Sequence, residues 1–361
     1  METAGPAALG HPSRDPFGPE ACRPRIAAVA TATPARGFTQ DEVLALAGYA
    51  DERRQGFFRR SEVQTRFLYL DEGFTPDEDL DALQARYARG VCEISEAAAR
   101  RCLAAAGASQ EDVEFIATTS CTGRICPDLD ALMVKALGLR RTVQRAHIGN
   151  TGCASALVAL QQACAHVQAY PGHRALVLAA EICSATYYLD DTLETAVSHA
   201  IFGDGAAALY VTSEGPGAEV LGLRTLFFPE HQDKMGYTFP GGRARINLSK
   251  DIRRIGGPII RELVELLLAD FHLAQKDVRF WVLHSGGRRV IERAQELMGL
   301  SDDDVAPTRK VLRQYGNMSS PTVLFVLDEV LRSGQPQPGD LAMMVALGPG
   351  FAAEGALLRW C

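Results

Sequence analysis

Three side chains in this sequence have the types and settings that nucleophilic acyl chemistry needs. Cys153 lies in GNTGCASAL (149–157), between an apolar strand and an apolar helix. A thiol at a helix start meets free backbone N–H groups and the positive end of the helix dipole, which favour the thiolate. Its neighbours Gly152, Ala154 and Ser155 are small and let an acyl group come close. His284 ends the apolar run WVLH and precedes Ser-Gly-Gly, at the C-terminal end of a strand, where α/β sheets place their sites. Asn317 follows Gly316 in YGNMSSPTVLF (315–325), and its type also suits an ordinary helix N-cap. The other eight cysteines fall within helices or strands or at the terminus and read as small hydrophobes.

Cys, His and Asn together fit two chemistries. One is hydrolysis in the manner of papain, and the separation 284 − 153 = 131 falls in that range. Against it, the local signature of a papain-type cysteine is absent and Cys153 is far from the N-terminus. The other is condensation in the manner of the thiolases. There the Cys carries an acyl group, and His and Asn donate to the oxyanion of a thioester enolate.

These residues must be held by regular elements. Continuous apolar runs at 25–33, 113–120, 142–148, 175–181, 206–211 and 220–228 read as strands. Helices are expected at 78–106, ending at Gly107, and at 128–138, 153–170 and near 191–200. Thr39 and Glu42 form a capping box that opens a further helix. The pattern then repeats, with helices at 249–269, 288–298 and 317–333 and strands at 280–284, 341–347 and 355–360. The alternation predicts a mostly parallel sheet covered on both faces, in two tandem halves. SEGPGAE (213–219) marks the junction, giving an N-terminal half, 23–215, that carries Cys153, and a C-terminal half, 216–361, that carries His284 and Asn317.

Residues 1–22 hold four Pro and three Gly among polar residues and are expected to be a disordered tail without a secretory signal. The formal net charge of −7 argues against nucleic-acid binding but leaves room for a local basic patch. No apolar run is long enough to span a membrane, no cysteine pair has zinc spacing, and a reducing, cytoplasmic setting is expected.

Six motifs in order carry a resemblance over about 25–361: SCTG (120–123), GCASAL (152–157), IFGDGAAAL (201–209), HSGG (284–287), GNMSSPTVLF (316–325) and GPG (348–350). Together they resemble the type III polyketide synthases, the chalcone-synthase-like family. The resemblance implies a five-layered αβαβα thiolase-like fold, a homodimer, and direct use of malonyl-CoA and a starter acyl-CoA with no carrier protein, cofactor or metal. Cys153 is then the acyl anchor, with His284 and Asn317 donating to the thioester and its enolate.

By the same resemblance Phe202 is a gatekeeper aromatic between CoA tunnel and cavity. Ile246, ahead of Lys250-Asp251, stands where the family often has a second gatekeeper Phe. Cys121, Thr122, Thr186, Tyr237 and Ser319 are cavity candidates, Tyr237 as one that would shrink the cavity. Cys126 matches a position that reaches into the partner subunit. Arg53, Arg59 and Arg60, with Arg54 and Arg66, are expected at a basic CoA entrance, and Arg60 best matches a phosphate contact.

SCTG and SATYYLDDTLETAV (184–197) look bacterial. HSGGRRV and YGNMSSP resemble enzymes that make 3,5-dihydroxyphenylacetyl-CoA from malonyl-CoA alone; tetrahydroxynaphthalene, alkylresorcinol and alkylpyrone synthases are close competitors. A ketoacyl-carrier-protein synthase III shares Cys, His and Asn on the same fold, and a non-catalytic scaffold of that fold is the alternative outside enzymes.

Overall fold

A computed structural model of the chain describes residues 23–190 and 192–361. The expected disordered tail at 1–22 lies outside the described residues. The first half runs β1 (Arg25–Ala32), β2 (Gly37–Thr39), α1 (Gln40–Ala47), α2 (Glu52–Arg59), β3 (Thr65–Phe67), α3 (Leu80–Ala106), β4 (Phe115–Ser120), α4 (Leu129–Leu137), β5 (Gln144–Gly149), α5 (Ser155–Ala169), β6 (Ala175–Glu181), α6 (Leu193–Ile201) and β7 (Gly205–Thr212). The second runs β8 (Ala218–Phe227), β9 (Met235–Thr238), β10 (Arg245–Leu248), α7 (Ile252–Ala269), β11 (Val278–Leu283), α8 (Arg288–Met298), α9 (Asp302–Tyr315), α10 (Thr322–Arg332), β12 (Leu341–Gly348) and β13 (Ala352–Trp360).

Nine strands form one continuous sheet in the order β11-β12-β13-β8-β1-β7-β6-β4-β5. The expectation of a mostly parallel sheet is overturned: only β11·β12, β6·β4 and β4·β5 are parallel, and the other neighbours are antiparallel. The reversals are the last strand of each half, β7 and β13, and the antiparallel join of β8 to β1 between the halves. Both sides of an antiparallel strand can be as apolar as a parallel one when helices cover both faces, so the hydrophobic run alone does not reveal direction. The expected duplication is visible in the pairing. β1-β7-β6-β4 and β8-β13-β12-β11 repeat one order and one pattern, antiparallel, antiparallel, parallel.

Side-chain alternation along the strands builds five layers. On β6, Ala175, Val177 and Ala179 pack inward with α5 and α10, while Leu176, Leu178 and Ala180 pack outward with α3 and α4. On β12, Ala342, Met344 and Ala346 join the same central cluster, and Met343, Val345 and Leu347 face α7 and α8. α5 and α10 are therefore sandwiched between the two halves of the sheet. That position explains the all-round apolar sequence of α5.

Local signals held at several termini. Thr39 accepts from the Glu42 N–H at 3.3 Å while its own N–H donates to Glu42 Oε2 at 2.7 Å. α3 is capped by Asp79, which accepts from the Ala82 N–H at 2.8 Å, and ends on left-handed Gly107. The predicted helix at 317–333 begins only at Thr322, so Asn317 is not an N-cap. The helix predicted from 249 starts at Ile252, and α9 and the β9–β10 hairpin are elements beyond those the sequence predicts. None of the helices among the described residues is long and apolar enough to cross a membrane.

Candidate active site

The C-terminal ends of β4, β5, β6, β11 and β12 converge on the segments that carry the reactive side chains. Cys153 occupies a 3-10 turn, Gly152–Ala154, between β5 and α5. The turn seats on the Gly348-Pro349-Gly350 segment after β12: a Cβ on Gly152, whose φ is +60°, would lie 2.3 Å from Pro349 Cδ. β11, which His284 directly follows, runs parallel to β12 with Leu283 opposite Val345, and the His284 N–H donates to the Val345 carbonyl at 2.8 Å. The two halves thus bring the thiol and the imidazole to one end of the sheet.

Asn317 is fixed by the IFGDG segment rather than by a helix. It bridges Phe202, donates its N–H to the Ile201 carbonyl at 2.8 Å and accepts from the Gly203 N–H at 3.0 Å. Gly316, at φ +70°, lies so near this strand that a Cβ would meet Ile201 O at 2.5 Å. The side-chain Oδ1 of Asn317 accepts from the Ser319 N–H at 2.8 Å. That contact selects the oxygen for one side of the amide and leaves the NH2 group to donate on the other. Ser319, at φ +59°, carries its hydroxyl to 3.5 Å from the Cys153 sulfur.

The charge states differ from the sequence expectation of a resting thiolate. Cys153 keeps some accessible surface, yet it is deep enough that burial pushes its thiol up to about 11. The Ser319 hydrogen bond lowers it, and the nearby Glu181 carboxylate raises it. Burial drives His284 down to about 4. Its Nδ1 is buried without a hydrogen-bond partner. No hydrogen bond joins His284 to Cys153. Near neutral pH the pair is a thiol and a neutral imidazole. Desolvation of the charged forms outweighs the few N–H groups of a single 3-10 turn.

Glu181, at the end of β6, was not singled out from the sequence. Its side chain is fully buried, and its Oε2 accepts from the N–H groups of Cys121 and Thr122 at 2.9 and 3.1 Å and from the Thr122 hydroxyl at 2.9 Å. Ser320 donates to Oε1 at 2.7 Å, and the Cys121 sulfur lies 3.3 Å from Oε1. The signal that could have found it is a lone carboxylate closing the apolar run ALVLAAE. Burial raises its pKa against the pull of these donors.

The remaining candidates divide. Cys121, Thr122, Thr186 and Tyr237 line a half-open cavity of about 200 Å³. Ile246 stands opposite Tyr237 across the β9–β10 hairpin, and Cys126 is exposed. Phe202 is 8% exposed and packed against the Asn317 segment. Arg53, Arg59 and Arg60 are exposed on or beside α2 with no carboxylate partner among the described residues, and Arg288 Nε donates to the Arg60 carbonyl at 3.1 Å. Arg54 instead pairs with Asp51 at 2.8 Å.

Arg66 is withdrawn from the basic entrance. It is 0% exposed and donates to the carbonyls of His199, Ala200 and Phe202 at 2.7, 2.9 and 2.9 Å. It caps the end of α6 and sets the backbone of Phe202. Asp204 of IFGDG is equally structural, accepting from the Tyr69 N–H at 2.6 Å and from the Ser184 N–H and hydroxyl at 2.8 and 2.6 Å. Among the described residues no group of three metal-ligating side chains occurs.

A duplicated five-layer fold, with a cysteine at the start of its central helix and His and Asn delivered from the second half, defines a thiolase-like condensing enzyme. The family models for chalcone and stilbene synthases match at residues 60–215 (N-terminal domain) and 225–361 (C-terminal domain). The chain is 34% identical over 359 residues to a 3,5-dihydroxyphenylacetyl-CoA synthase of Streptomyces toyocaensis, covering 94% of this chain and 90% of that one. Among solved structures, PKS-I of the brown alga Ectocarpus siliculosus superposes with a TM-score of 0.88 at 31% identity, over 94% of this chain and 98% of that one. The 1,3,6,8-tetrahydroxynaphthalene synthase of Streptomyces coelicolor A3(2) does so at 0.85 and 25%, over 94% and 99%. The chain belongs to the chalcone and stilbene synthase family and is a type III polyketide synthase, an acyltransferase that performs decarboxylative condensation. Membership removes the hydrolase reading that Cys, His and Asn alone left open.

Proposed function

We propose that Cys153 accepts a starter acyl group from CoA, that malonyl-CoA is decarboxylated beside it, and that the enolate attacks the Cys153 thioester. Repeated rounds and a final cyclisation yield a small aromatic or pyrone product. As loading begins, neutral His284 takes the Cys153 proton, and the sulfur attacks the starter carbonyl to expel CoA thiolate, which recovers a proton. The imidazole and the Asn317 NH2 group then donate to the oxygen that gains charge when malonyl-CoA loses CO2. The observation that carries this reading is the Asn317 amide, whose oxygen is held by the Ser319 N–H while the Ser319 hydroxyl touches the Cys153 sulfur.

CoA esters are read as direct substrates without a carrier protein. Arg53, Arg59 and Arg60 suit the phosphates, since they are exposed and lack acidic partners among the described residues. A homodimer is supported by the open edge of the sheet: β5 is the last strand and has no buried residue, while its neighbour β4 is fully buried. The resemblance of HSGGRRV and YGNMSSP to enzymes that build 3,5-dihydroxyphenylacetyl-CoA from malonyl-CoA alone favours malonyl-CoA as sole substrate.

The test is product analysis by mass spectrometry with purified enzyme, malonyl-CoA and no carrier protein. A cyclised polyketide from malonyl-CoA alone is expected. Cys153→Ala is expected to lose all extension, and Asn317→Ala to depress CO2 release. Extension by Cys153→Ala, or a strict need for carrier protein, would sink the reading.

A further inference from the structure

The cavity beside Cys121 has a charge pattern that the condensation itself does not require. It opens between α3, the 121–124 turn, the segment 185–188 and the β9–β10 hairpin. Among the described residues no Asp or Glu lines it, but Arg124 and Arg243 both do. Neither arginine has a carboxylate partner among the described residues. Three acids of the surrounding elements are engaged elsewhere: Asp190 with Arg245 at 2.8 Å, Glu78 with Arg86, and Glu181 with the Cys121 turn. Arg124 stands over the Phe239 ring at 5.5 Å and Arg243 over the Tyr188 ring at 5.1 Å. Aromatic faces orient a guanidinium without cancelling its charge.

The cavity is one residue away from the reactive thiol. The Cys121 sulfur lies 3.5 Å from the Ser319 hydroxyl, which in turn lies 3.5 Å from the Cys153 sulfur. On its other side it reaches the Tyr237 hydroxyl at 3.8 Å, and Tyr237 lines the cavity. An acyl chain that starts on Cys153 and passes Cys121 therefore enters a cavity whose charged lining, among the described residues, is the exposed Arg124 and the half-buried Arg243. A neutral alkyl or aryl tail gains nothing from them and has to displace their water. A carboxylate tail can accept charge-assisted hydrogen bonds from both.

We propose that Arg124 and Arg243 form a clamp for the free carboxylate of a short dicarboxylic acyl group, and that this clamp selects the starter loaded on Cys153. The inference rests on the acyl-carrier role of Cys153 given above. It makes the starter class an anionic half-thioester rather than a fatty or aromatic acyl-CoA.

Loading alone tests it, without extension. Acylation of Cys153 by succinyl-CoA and by butyryl-CoA, which share a four-carbon chain, is followed by intact-protein mass spectrometry. The wild type is expected to load succinyl faster. Arg124→Gln and Arg243→Gln are each expected to reduce the succinyl-to-butyryl ratio on the order of tenfold, the size of one charged hydrogen bond. Arg124→Lys and Arg243→Lys are expected to recover part of it. Equal loading of the two esters by the wild type, or a ratio that neither glutamine variant moves, would overturn the clamp. Succinyl preference without any later extension by malonyl-CoA would leave the clamp standing and remove the polyketide reading. Loading of neither ester would overturn the clamp, and the polyketide reading would then stand or fall on extension of malonyl-CoA alone.

Discussion

The hydroxyl of Ser319 stands 3.5 Å from the sulfur of Cys153, and Ser319 owes that place to its own N–H, which is held by the Asn317 side chain at 2.8 Å. The serine therefore links the nucleophile to the residue proposed to stabilise the enolate. Its hydrogen bond lowers the Cys153 pKa, against the larger effect of burial. Ser319→Ala is expected to raise that pKa and slow alkylation of Cys153 by iodoacetamide by about two- to tenfold at pH 8, the worth of one ordinary hydrogen bond. An unchanged rate would mean that the contact is not made in solution.

The pH profile follows from the two shifts. Cys153 is pushed up to about 11 and His284 down to about 4, so between those values the resting pair carries no charge. Alkylation of the free enzyme is expected to keep rising with pH beyond 9, because the thiolate fraction grows until the thiol has titrated. For kcat/KM, an acid limb is expected near pH 4, where His284 gains a proton and can no longer take one from Cys153. A thiolate–imidazolium pair at rest would instead give an alkylation inflection below pH 7, and finding one would refute this assignment.

The sequence exposed the chemistry more readily than its environment. Cys153 was legible because glycine and alanine neighbours mark a strand-to-helix turn, and the capping box at Thr39 because its pattern is local. The upward push of burial on the Cys153 thiol is not legible in the sequence, because a helix start is visible there whereas the Pro349 segment packed on the Gly152 turn lies almost 200 residues away. Arg66 reads as one more cation of a basic run until the fold turns it inward onto the end of α6. The direction of β7, β8 and β13 was hidden because helices cover both faces of the sheet and erase the alternation that usually marks antiparallel strands.

Gly152 couples the two halves of the molecule at the nucleophile. Its φ is +60°, and a Cβ would sit 2.3 Å from Pro349 Cδ and 2.5 Å from Cγ, so either the turn or the GPG segment has to shift. Gly152→Ala is expected to cost about 1–3 kcal/mol through overpacking and the left-handed backbone. Because Cys153 is the next residue, extension activity is expected to fall by more than the loss in thermal midpoint alone would explain. Wild-type activity in Gly152→Ala would show that the turn can relax without moving the sulfur.

Glu181 offers a test in which stability and reactivity move in opposite directions. Its carboxylate accepts only from donors, so an amide in its place turns an NH2 group toward one of them and leaves a buried donor unpaired. Glu181→Gln is expected to destabilise the fold by roughly 1–3 kcal/mol, read as a lower thermal midpoint. The carboxylate also raises the Cys153 pKa. Removing its negative charge makes the thiolate easier to form, so alkylation of Cys153 at pH 8 is expected to quicken although the protein has become less stable. A variant that loses stability and alkylates more slowly would show that Glu181 acts on Cys153 through the geometry of the Cys121 turn and Ser320 rather than through its charge.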